Sequence, residues 1–448
     1  MLFLDVTGDR RVDARPLPRS SHPQAGAGVY PPRHKEGQVT ITDAELRAAT
    51  RQLVKDLGAS TADQYAFRGA QFDRGLAWVH FPAGKGGLGL APGRQAVVQQ
   101  ELRDAGVRYS NIFINQIGIG MAAPTLLAFG SEAMQEAHLR RIFTGEDLWC
   151  QLFSEPGHGS DLAGLSCRGV RSGDHWVISG QKVWTSLAHV ASFGLLLVRT
   201  SPNVPKHAGL TYLVVDMASP GIEIRPLYQL TGDAEFNEVF FTDVTVPDSN
   251  RLGDEGAGWK VAITTLMNER STLGGTGGGR ESASMQHLIN TWQSCRNSSH
   301  AWRTVMRDQL VRVWISSELH RLTNARSRSN RAVGPEGSIG KLVFAELSKV
   351  TFELAIDLLG PEGMLHPDGY PMTRTSWPKV NHVLSTTPAF LRTRASSIEG
   401  GTTEILKNVI AERVLGLPSD LRVDHGIPWI EIARSPVNMS RLNRTREH

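Results

Sequence analysis

Residues 152–163 read LFSEPGHGSDLA and residues 180–186 read GQKVWTS, and these two stretches decide the interpretation of the whole chain. The first stretch is the end of an apolar strand followed by a turn, whose glycines expose backbone N–H groups suited to anionic oxygens or to the edge of a polar ring. The second stretch alternates as a strand does and places Trp184 between Lys182 and Ser186. The indole of Trp184 is therefore either part of a core, as is usual for such a side chain, or a wall against a planar cofactor.

Short apolar runs surround these two stretches and predict a compact β domain. Between residues 148 and 246 the hydrophobic period is two, with runs such as FGLLLV at 193–198 and LTYLVV at 210–215. Turn residues such as those at 219–221 (SPG) separate the runs.

Helical spacing of apolar residues lies on both sides of the β region. It begins after residue 40, where Thr42 and Glu45 have the spacing of a capping box. It returns after residue 256 and is clear over 305–322 and 339–359. The sequence therefore predicts an α+β multidomain protein with five segments: an irregular extension (1–38), a helical domain (39–147), a β-barrel or sandwich domain (148–252), a second helical domain (253–420) and a tail (421–448).

Composition excludes several classes of protein. The 448 residues carry a formal net charge of +4 and only three cysteines, too few and too scattered for a disulfide framework or a four-ligand zinc site. No metal site, secretion signal or apolar run of membrane-spanning length is found, so we expect a cytoplasmic protein without a membrane span. The basic residues are dispersed, which does not favour nucleic acid as a partner.

The two opening stretches together resemble the middle domain of the acyl-CoA dehydrogenase family, in which they hold the isoalloxazine ring of FAD. The resemblance continues in order over about residues 40–418 and includes FNEVFFTDV at 236–244, GGTTEI at 400–405 and AERVLG at 411–416. It implies a three-domain plan of helices, sheet and helices, with a C-terminal domain like a four-helix bundle. It also implies FAD as the cofactor of an oxidoreductase.

The resemblance assigns cofactor contacts to two groups of residues. Near the flavin, the pyrophosphate or the acyl-CoA it places backbone and side-chain groups of Phe153, Ser154, Gly159, Ser160, Trp184, Thr185 and Ser186. Ser186 stands where the family usually has the threonine that bonds flavin N5, and it keeps a hydroxyl. Near the adenosine half of FAD the resemblance places Thr402 and Glu404.

The family removes hydrogens from the α and β carbons of an acyl thioester, and a carboxylate takes the α-proton as hydride passes to flavin N5. In many members this glutamate directly precedes a Gly-Thr pair, where this chain has Gly400. Another branch, which includes the isovaleryl enzyme, supplies the glutamate from a C-terminal helix directly before an arginine. Glu269 and Arg270 match that pattern, so Glu269 is expected to be the base, with Glu399 as its competitor.

The expected substrate contacts are Ser160, Arg270 and Gly400, and the substrate is an acyl thioester of CoA or of an acyl carrier protein. Electron-transfer flavoprotein or a similar acceptor would reoxidise the flavin. The Arg-x-x-Phe-Gly motif, which grips the FAD of a neighbouring subunit in many members, is missing from residues 295–303. The resemblance implies a homotetramer or a mixed tetramer. With this motif missing, either FAD is bound mainly by its own chain or a different partner subunit completes the site. The alternatives are a flavin oxidase or monooxygenase on the same fold and a non-catalytic partner subunit.

Overall fold

The computed structural model describes residues 41–59, 64–107, 115–275, 283–295, 300–329, 337–366, 385–419 and 424–433. The extension expected at 1–38 lies outside the described residues. The same holds for the tail expected at 421–448, apart from 424–433.

The N-terminal helices of the described chain are α1 (Asp43–Leu57), α2 (Gln64–Asp73), α3 (Gln95–Asp104), α4 (Ala123–Phe129) and α5 (Glu132–Thr144). The capping box predicted at the start of α1 is confirmed, because the Thr42 side chain accepts from the backbone of Glu45 and the Glu45 side chain accepts from the backbone of Thr42. Leu46 and Leu53 of α1 are fully buried and pack with Val98 of α3.

Within the described residues, seven strands form one sheet: β1 (Trp149–Leu152), β2 (Arg168–Ser172), β3 (His175–Ser186), β4 (Phe193–Arg199), β5 (Leu210–Asp216), β6 (Ile222–Leu227) and β7 (Phe236–Pro247). The strand order is β1-β4-β2-β3-β7-β6, and β5 also pairs with β4. Strand β4 is parallel to β1 and antiparallel to β5. The continuous apolar runs of β4 and β5 are buried along their length, which explains why they lack a polar alternation.

The C-terminal helices that the structure describes are α6 (Gly258–Gly275), α7 (Ala283–Ser294), α8 (His300–Ser329), α9 (Gly337–Leu359), α10 (Thr386–Thr393), α11 (Thr403–Val409) and α12 (Trp429–Ala433). Their core contains Met285, Leu288, Val313, Phe352 and Leu358. The predicted combination of helical parts and a middle β part is confirmed. Helices α7 and α10 are short elements that the periodicity did not single out.

Helix α6 is tied to both the N-terminal helices and the sheet. The Thr265 hydroxyl lies 2.9 Å from that of Thr125 on α4 and 3.0 Å from that of Tyr212 on β5. All three side chains are fully buried, and buried hydroxyls are costly unless they are paired. This triple contact fixes the rotation of α6, and so it fixes where Glu269, one turn further along, is directed.

Candidate active site

A buried ion pair shapes the turn that follows β1. Lys182 Nζ on β3 donates to Glu155 Oε1 at 2.9 Å and to the carbonyl of Phe153 at 3.0 Å. The Glu155 carboxylate also accepts from the backbone N–H groups of Ser166 at 2.7 Å and Cys167 at 2.9 Å. Burial raises the pKa of Glu155, but Lys182 and these donors outweigh it and hold the pKa below its usual range.

The same turn presents its tip outwards. Gly157, Gly159 and Ser160 are exposed, and a Cβ added at either glycine would meet nothing within 4 Å. Behind them the carbonyl of Ser154 accepts from the N–H of Val183 at 2.9 Å, so the turn is held against β3. The predicted strand end and turn are therefore present, with the glycines on the open side.

The side chains of β3 do not alternate regularly between the two faces of the sheet over residues 180–186, where the sequence predicts that they do. Its register against β7 shifts between Lys182 and Thr185, and Trp184 has a left-handed φ of 59°. The bulge turns the indole outwards, so that Trp184 is 61% exposed and packs edge-to-face on Phe236 at 6.0 Å between ring centroids. A place for Trp184 in the core is therefore wrong.

Next to this indole lies a buried hydroxyl without a partner. Thr185 is fully buried, and its Oγ1 makes no hydrogen bond within the described parts of the chain. A buried hydroxyl of this kind costs about 1–3 kcal/mol unless a group outside the chain satisfies it. Ser186, partly buried, ends the strand beside it.

Glu269 lies on α6, in a partly buried position against the first strand of the sheet. Burial raises the pKa of its carboxyl, and this effect outweighs a hydrogen bond to Gln151 on β1 and the nearby charge of Arg270, both of which lower the pKa. Glu399 raises it further and Lys341 lowers it. A carboxylate with a raised pKa is a stronger base than an exposed one.

Arg270 follows Glu269 and lies beside the turn that the sequence assigns to the substrate. Its Nε is buried and has no hydrogen-bond partner among the residues described, and a Cβ added at Gly401 would lie 4.0 Å from it. Gly400 and Gly401 both have a left-handed φ, 64° and 94°. A side chain at Gly400 would strain a backbone with this φ.

Glu399 is occupied by a different contact. Its two carboxylate oxygens accept from Arg392 on α10 at 3.0 and 2.9 Å in a bidentate pair. Arg392 also donates to Glu235 at 3.2 Å and lies 5.5 Å from the centre of the Phe236 ring. These contacts join the C-terminal helices to the sheet, and they direct the Glu399 carboxylate to a guanidinium.

Thr402 and Glu404 lie at the start of α11. The Thr402 hydroxyl oxygen caps the helix by accepting from the N–H of Ile405 at 3.2 Å, and Glu404 is exposed in the first turn. Lys341 on α9 connects this region to the rest, because its Nζ donates to the carbonyls of Ser396 at 2.9 Å and Gly401 at 2.7 Å.

A continuous set of contacts thus runs from the exposed indole of Trp184 through Phe236, Arg392 and Glu399 to the glycine turn beside Arg270. Sequence reasoning missed Gln151, Lys182, Lys341 and Arg392. Two signals in the sequence point to the lysines: Lys341 is a lone charge in the apolar run 339–345 (IGKLVFA), and Lys182 is a charge within a predicted strand.

Sequence profiles of known domains match the chain in order: "Acyl-CoA dehydrogenase, N-terminal domain" over residues 41–146, "middle domain" over 150–244 and "C-terminal domain" over 256–415. The chain belongs to the acyl-CoA dehydrogenase family. The family resemblance inferred from the motifs is therefore confirmed.

Several named acyl-CoA dehydrogenases are similar to this chain. It is 38% identical to acyl-CoA dehydrogenase IpdE1 of Mycobacterium tuberculosis over 352 residues, which cover 78% of this chain and 86% of that protein. It is also 38% identical to FadE34 of the same organism over 351 residues, which cover 77% of this chain and 45% of that protein. Among solved structures, a chain of the ChsE4–ChsE5 complex from Mycobacterium tuberculosis has a TM-score of 0.63 at 26% identity, covering 84% of this chain and 97% of that chain.

Acyl-CoA dehydrogenases are FAD-dependent flavoproteins, and this protein is an FAD-dependent oxidoreductase. The residues of the site fit that cofactor: the unpaired Thr185 hydroxyl, the exposed Trp184 indole and the open glycines 157 and 159 lie on one turn and one strand. In the residues that can be described, no cluster of potential metal ligands is found, and no helix is long and apolar enough to cross a bilayer.

The Lys182–Glu155 pair gives a first prediction. Lys182→Met should lower the free energy of unfolding by about 3–5 kcal/mol, because it leaves the Glu155 carboxylate buried without its cation. Denaturant unfolding measures the loss. Adding Glu155→Gln to this variant should recover part of it.

The matched control is Lys206→Met. Lys206 pairs with Asp161 and Asp424, whose side chains are 59% and 27% exposed, so its loss should cost only about 0–1 kcal/mol. Equal losses in the two lysine variants would show that the buried pair has no special role.

Proposed function

We propose that this acyl-CoA dehydrogenase removes hydrogens from the α and β carbons of an acyl thioester, carried by CoA or an acyl carrier protein, with Glu269 as the base. The observation that carries the proposal is the environment of Glu269: a carboxyl whose pKa is raised by burial, held by Gln151 and next to Arg270. The turn of Gly400 and Gly401 lies next to Arg270, because a Cβ added at Gly401 would be 4.0 Å from Arg270 Nε. The two glycines themselves add no side chain beside Arg270.

The competing carboxylate, Glu399, is less suited to the role. Its bidentate pair with Arg392 occupies both carboxylate oxygens and directs them to the guanidinium. Glu269 has no bidentate arginine pair of that kind in the described structure, and its pKa is raised by burial.

In the proposed step, a Glu269 carboxylate oxygen takes the α-proton, and the electron pair of that C–H bond becomes the α,β double bond. Bound FAD supplies the acceptor for the β-hydrogen, which leaves as hydride. Arg270, beside Glu269, balances negative charge near the substrate and has a free Nε donor for it. Tyr212, fully buried, packs against α6 with its hydroxyl 3.0 Å from that of Thr265.

The residues proposed to hold FAD fall into two groups. The turn and strand β3 contribute backbone or side-chain groups of Phe153, Ser154, Gly159, Ser160, Trp184, Thr185 and Ser186. The Phe153 carbonyl also accepts a hydrogen bond from Lys182, which holds this part of the turn in place. The start of α11, with Thr402 and Glu404, is proposed to lie near the adenosine half, and Ser160, Arg270 and Gly400 are proposed to contact the substrate.

A comparison of two carboxamide variants tests the base. Glu269→Gln should retain FAD and ligand binding, because the amide is nearly isosteric, yet slow flavin reduction by about two to four orders of magnitude. Glu399→Gln, the matched control, should slow it far less. The measurement is anaerobic single-turnover bleaching of the flavin with an accepted acyl thioester, which isolates the chemical step.

Normal reduction in the Glu269 variant together with a large loss in the Glu399 variant would reverse the assignment. Normal reduction in both would exclude a carboxylate base at either position. Fast reoxidation of the reduced wild-type protein by dioxygen would favour the oxidase alternative over transfer to electron-transfer flavoprotein.

The unpaired Thr185 hydroxyl yields a test of the FAD site that needs no substrate. Thr185→Val should weaken FAD binding by about tenfold, the value of one hydrogen bond, and raise the Tm of the FAD-free protein because an unsatisfied buried hydroxyl is removed. Thr242→Val, at an exposed position on β7, is the control and should change neither. Unaltered FAD affinity in the Thr185 variant would remove this hydroxyl from the cofactor site.

The C-terminal helices offer a surface for assembly into a tetramer. On α8 the apolar side chains of Val311, Ile315, Leu319 and Leu322 recur at helical spacing and are 42–59% exposed, on the face away from the buried Val313 and Ser317. A stripe of this kind on a single helix is typical of a subunit contact. We propose that a second subunit of the same fold covers it, as two subunits assemble in the ChsE4–ChsE5 relative.

Leu319→Asp should reduce the mass of the assembly measured by light scattering, because it places a charge in an apolar contact. Ser316→Asp adds the same charge at an exposed position three residues away, beside the stripe, and should leave the mass unchanged. A wild-type protein that is a stable, active monomer would contradict the assembly.

A further inference from the structure

Lys341 is a buried cation whose direct partners are neutral. It lies on α9 with 1% of its surface exposed, and the acceptors of its Nζ are the backbone carbonyls of Ser396 at 2.9 Å and Gly401 at 2.7 Å. Burial of an ammonium is unfavourable unless negative charge lies nearby. The two carbonyls alone do not offset the free-energy cost of burying this ammonium.

The compensating charges are the two carboxylates of the site. Burial lowers the pKa of Lys341, whereas Glu399 and, next, Glu269 raise it; Arg270 lowers it. The interaction is mutual, because Lys341 in turn lowers the pKa of Glu269. The ammonium and the proposed base thus interact electrostatically, although Lys341 lies on a different helix and donates its hydrogen bonds elsewhere.

The two carbonyl contacts also act on the backbone. They hold both ends of the segment 396–401, which contains Glu399 and the glycine turn, against α9. Gly400 and Gly401 have left-handed φ angles and no side chains that could anchor them. The Lys341 contact to Gly401 therefore supplies a fixed point for the turn on the side next to Arg270.

We propose that Lys341 is a positioning residue for the reaction: its hydrogen bonds to the carbonyls of Ser396 and Gly401 clamp the glycine turn beside Arg270, and they keep a buried positive charge on the side of the proposed base. This inference rests on the proposed function, since it needs Glu269 as the base. It adds a residue that touches neither the reacting atoms nor, in this arrangement, the Glu269 carboxylate itself.

The direction of the pH effect follows from the groups around Glu269. These are Gln151 from β1, Tyr212 from β5, Arg270 from α6, Glu399 from the turn and Lys341 from α9. A base must be ionised to react, so the rate falls as the pH drops through the pKa of Glu269. Removal of a nearby cation raises that pKa, and the acid limb of the pH profile then moves to higher pH.

The test is the pH profile of anaerobic flavin reduction in a set of variants of the FAD-loaded full chain. Lys341→Gln keeps a hydrogen-bond donor without the charge, and Lys341→Met removes both but keeps an apolar stem of similar length. Both should shift the acid limb upwards, by about a few tenths of a pH unit, because the ammonium acts on Glu269 without touching it. Lys341→Arg keeps the charge and should stay close to the wild type.

The matched control is Lys349→Gln on the same helix. Lys349 pairs with Glu346, and neither group is among the charges that act on the pKa of Glu269, so its loss removes the same charge from α9 at a position away from the proposed base. The control profile should coincide with that of the wild type. If the acid limb of the control shifts by the same amount, the effect of Lys341→Gln comes from the net charge of α9 and not from the position of Lys341.

A second readout does not use activity. The Glu269 carboxylate is less favourable without the ammonium, so Glu269→Gln should raise the Tm more in the Lys341→Gln background than in the wild type. Additive Tm changes would show that the two residues are not coupled. Purely structural damage by Lys341→Gln would lower the Tm but would not make it depend on residue 269.

The two hypotheses fail in different ways. If Glu269→Gln reduces its flavin at the wild-type rate, the proposed function is wrong. If Glu269→Gln is slow, yet the profiles of Lys341→Gln and Lys341→Met match the wild type and the Tm changes are additive, the role of Lys341 alone is wrong.

Discussion

The ion pair between Lys182 and Glu155 is the contact on which the cofactor side of the site depends. Both charges lie out of water, and each is satisfied only when the turn after β1 closes against β3. The turn therefore has one permitted shape, with its glycines outwards. The bulge that follows Lys182 on the same strand then turns Trp184 out of the core and Thr185 into it.

A second set of charges joins the sheet to the C-terminal helices. Arg392 binds two carboxylates, that of Glu235 before β7 and that of Glu399 before the glycine turn. Glu235 is 157 residues away from Arg392 in the sequence. Because the same guanidinium lies over Phe236, which packs on Trp184, the cofactor side and the proposed base share one network. A shift of α10 would therefore disturb both.

The fold was largely predictable from the sequence because its signals are local. Period-two runs such as FGLLLV and the Thr42–Glu45 cap report directly on strands and helix starts. The supporting residues were not predictable in the same way. Lys341 meets Gly401 and Lys182 meets Glu155 across 60 and 27 residues, and a single lysine in an apolar run does not reveal which carbonyl or carboxylate it will reach. The family resemblance pointed to Glu269 as the base. The ion pair between Glu399 and Arg392 became visible only in the structure.

The position of the proposed base has a structural consequence of its own. A glutamate in the slot of Gly400 would depend on the conformation of a turn, which in this chain is left-handed at two successive glycines. Glu269 instead stands on α6, whose rotation is set by the buried hydroxyl contacts of Thr265 with α4 and β5. Helix packing therefore sets the position of Glu269, and the glycine turn shapes the space next to it. A turn of two glycines needs an external contact to fix its conformation, and the buried ammonium of Lys341 supplies one by donating to the Gly401 carbonyl.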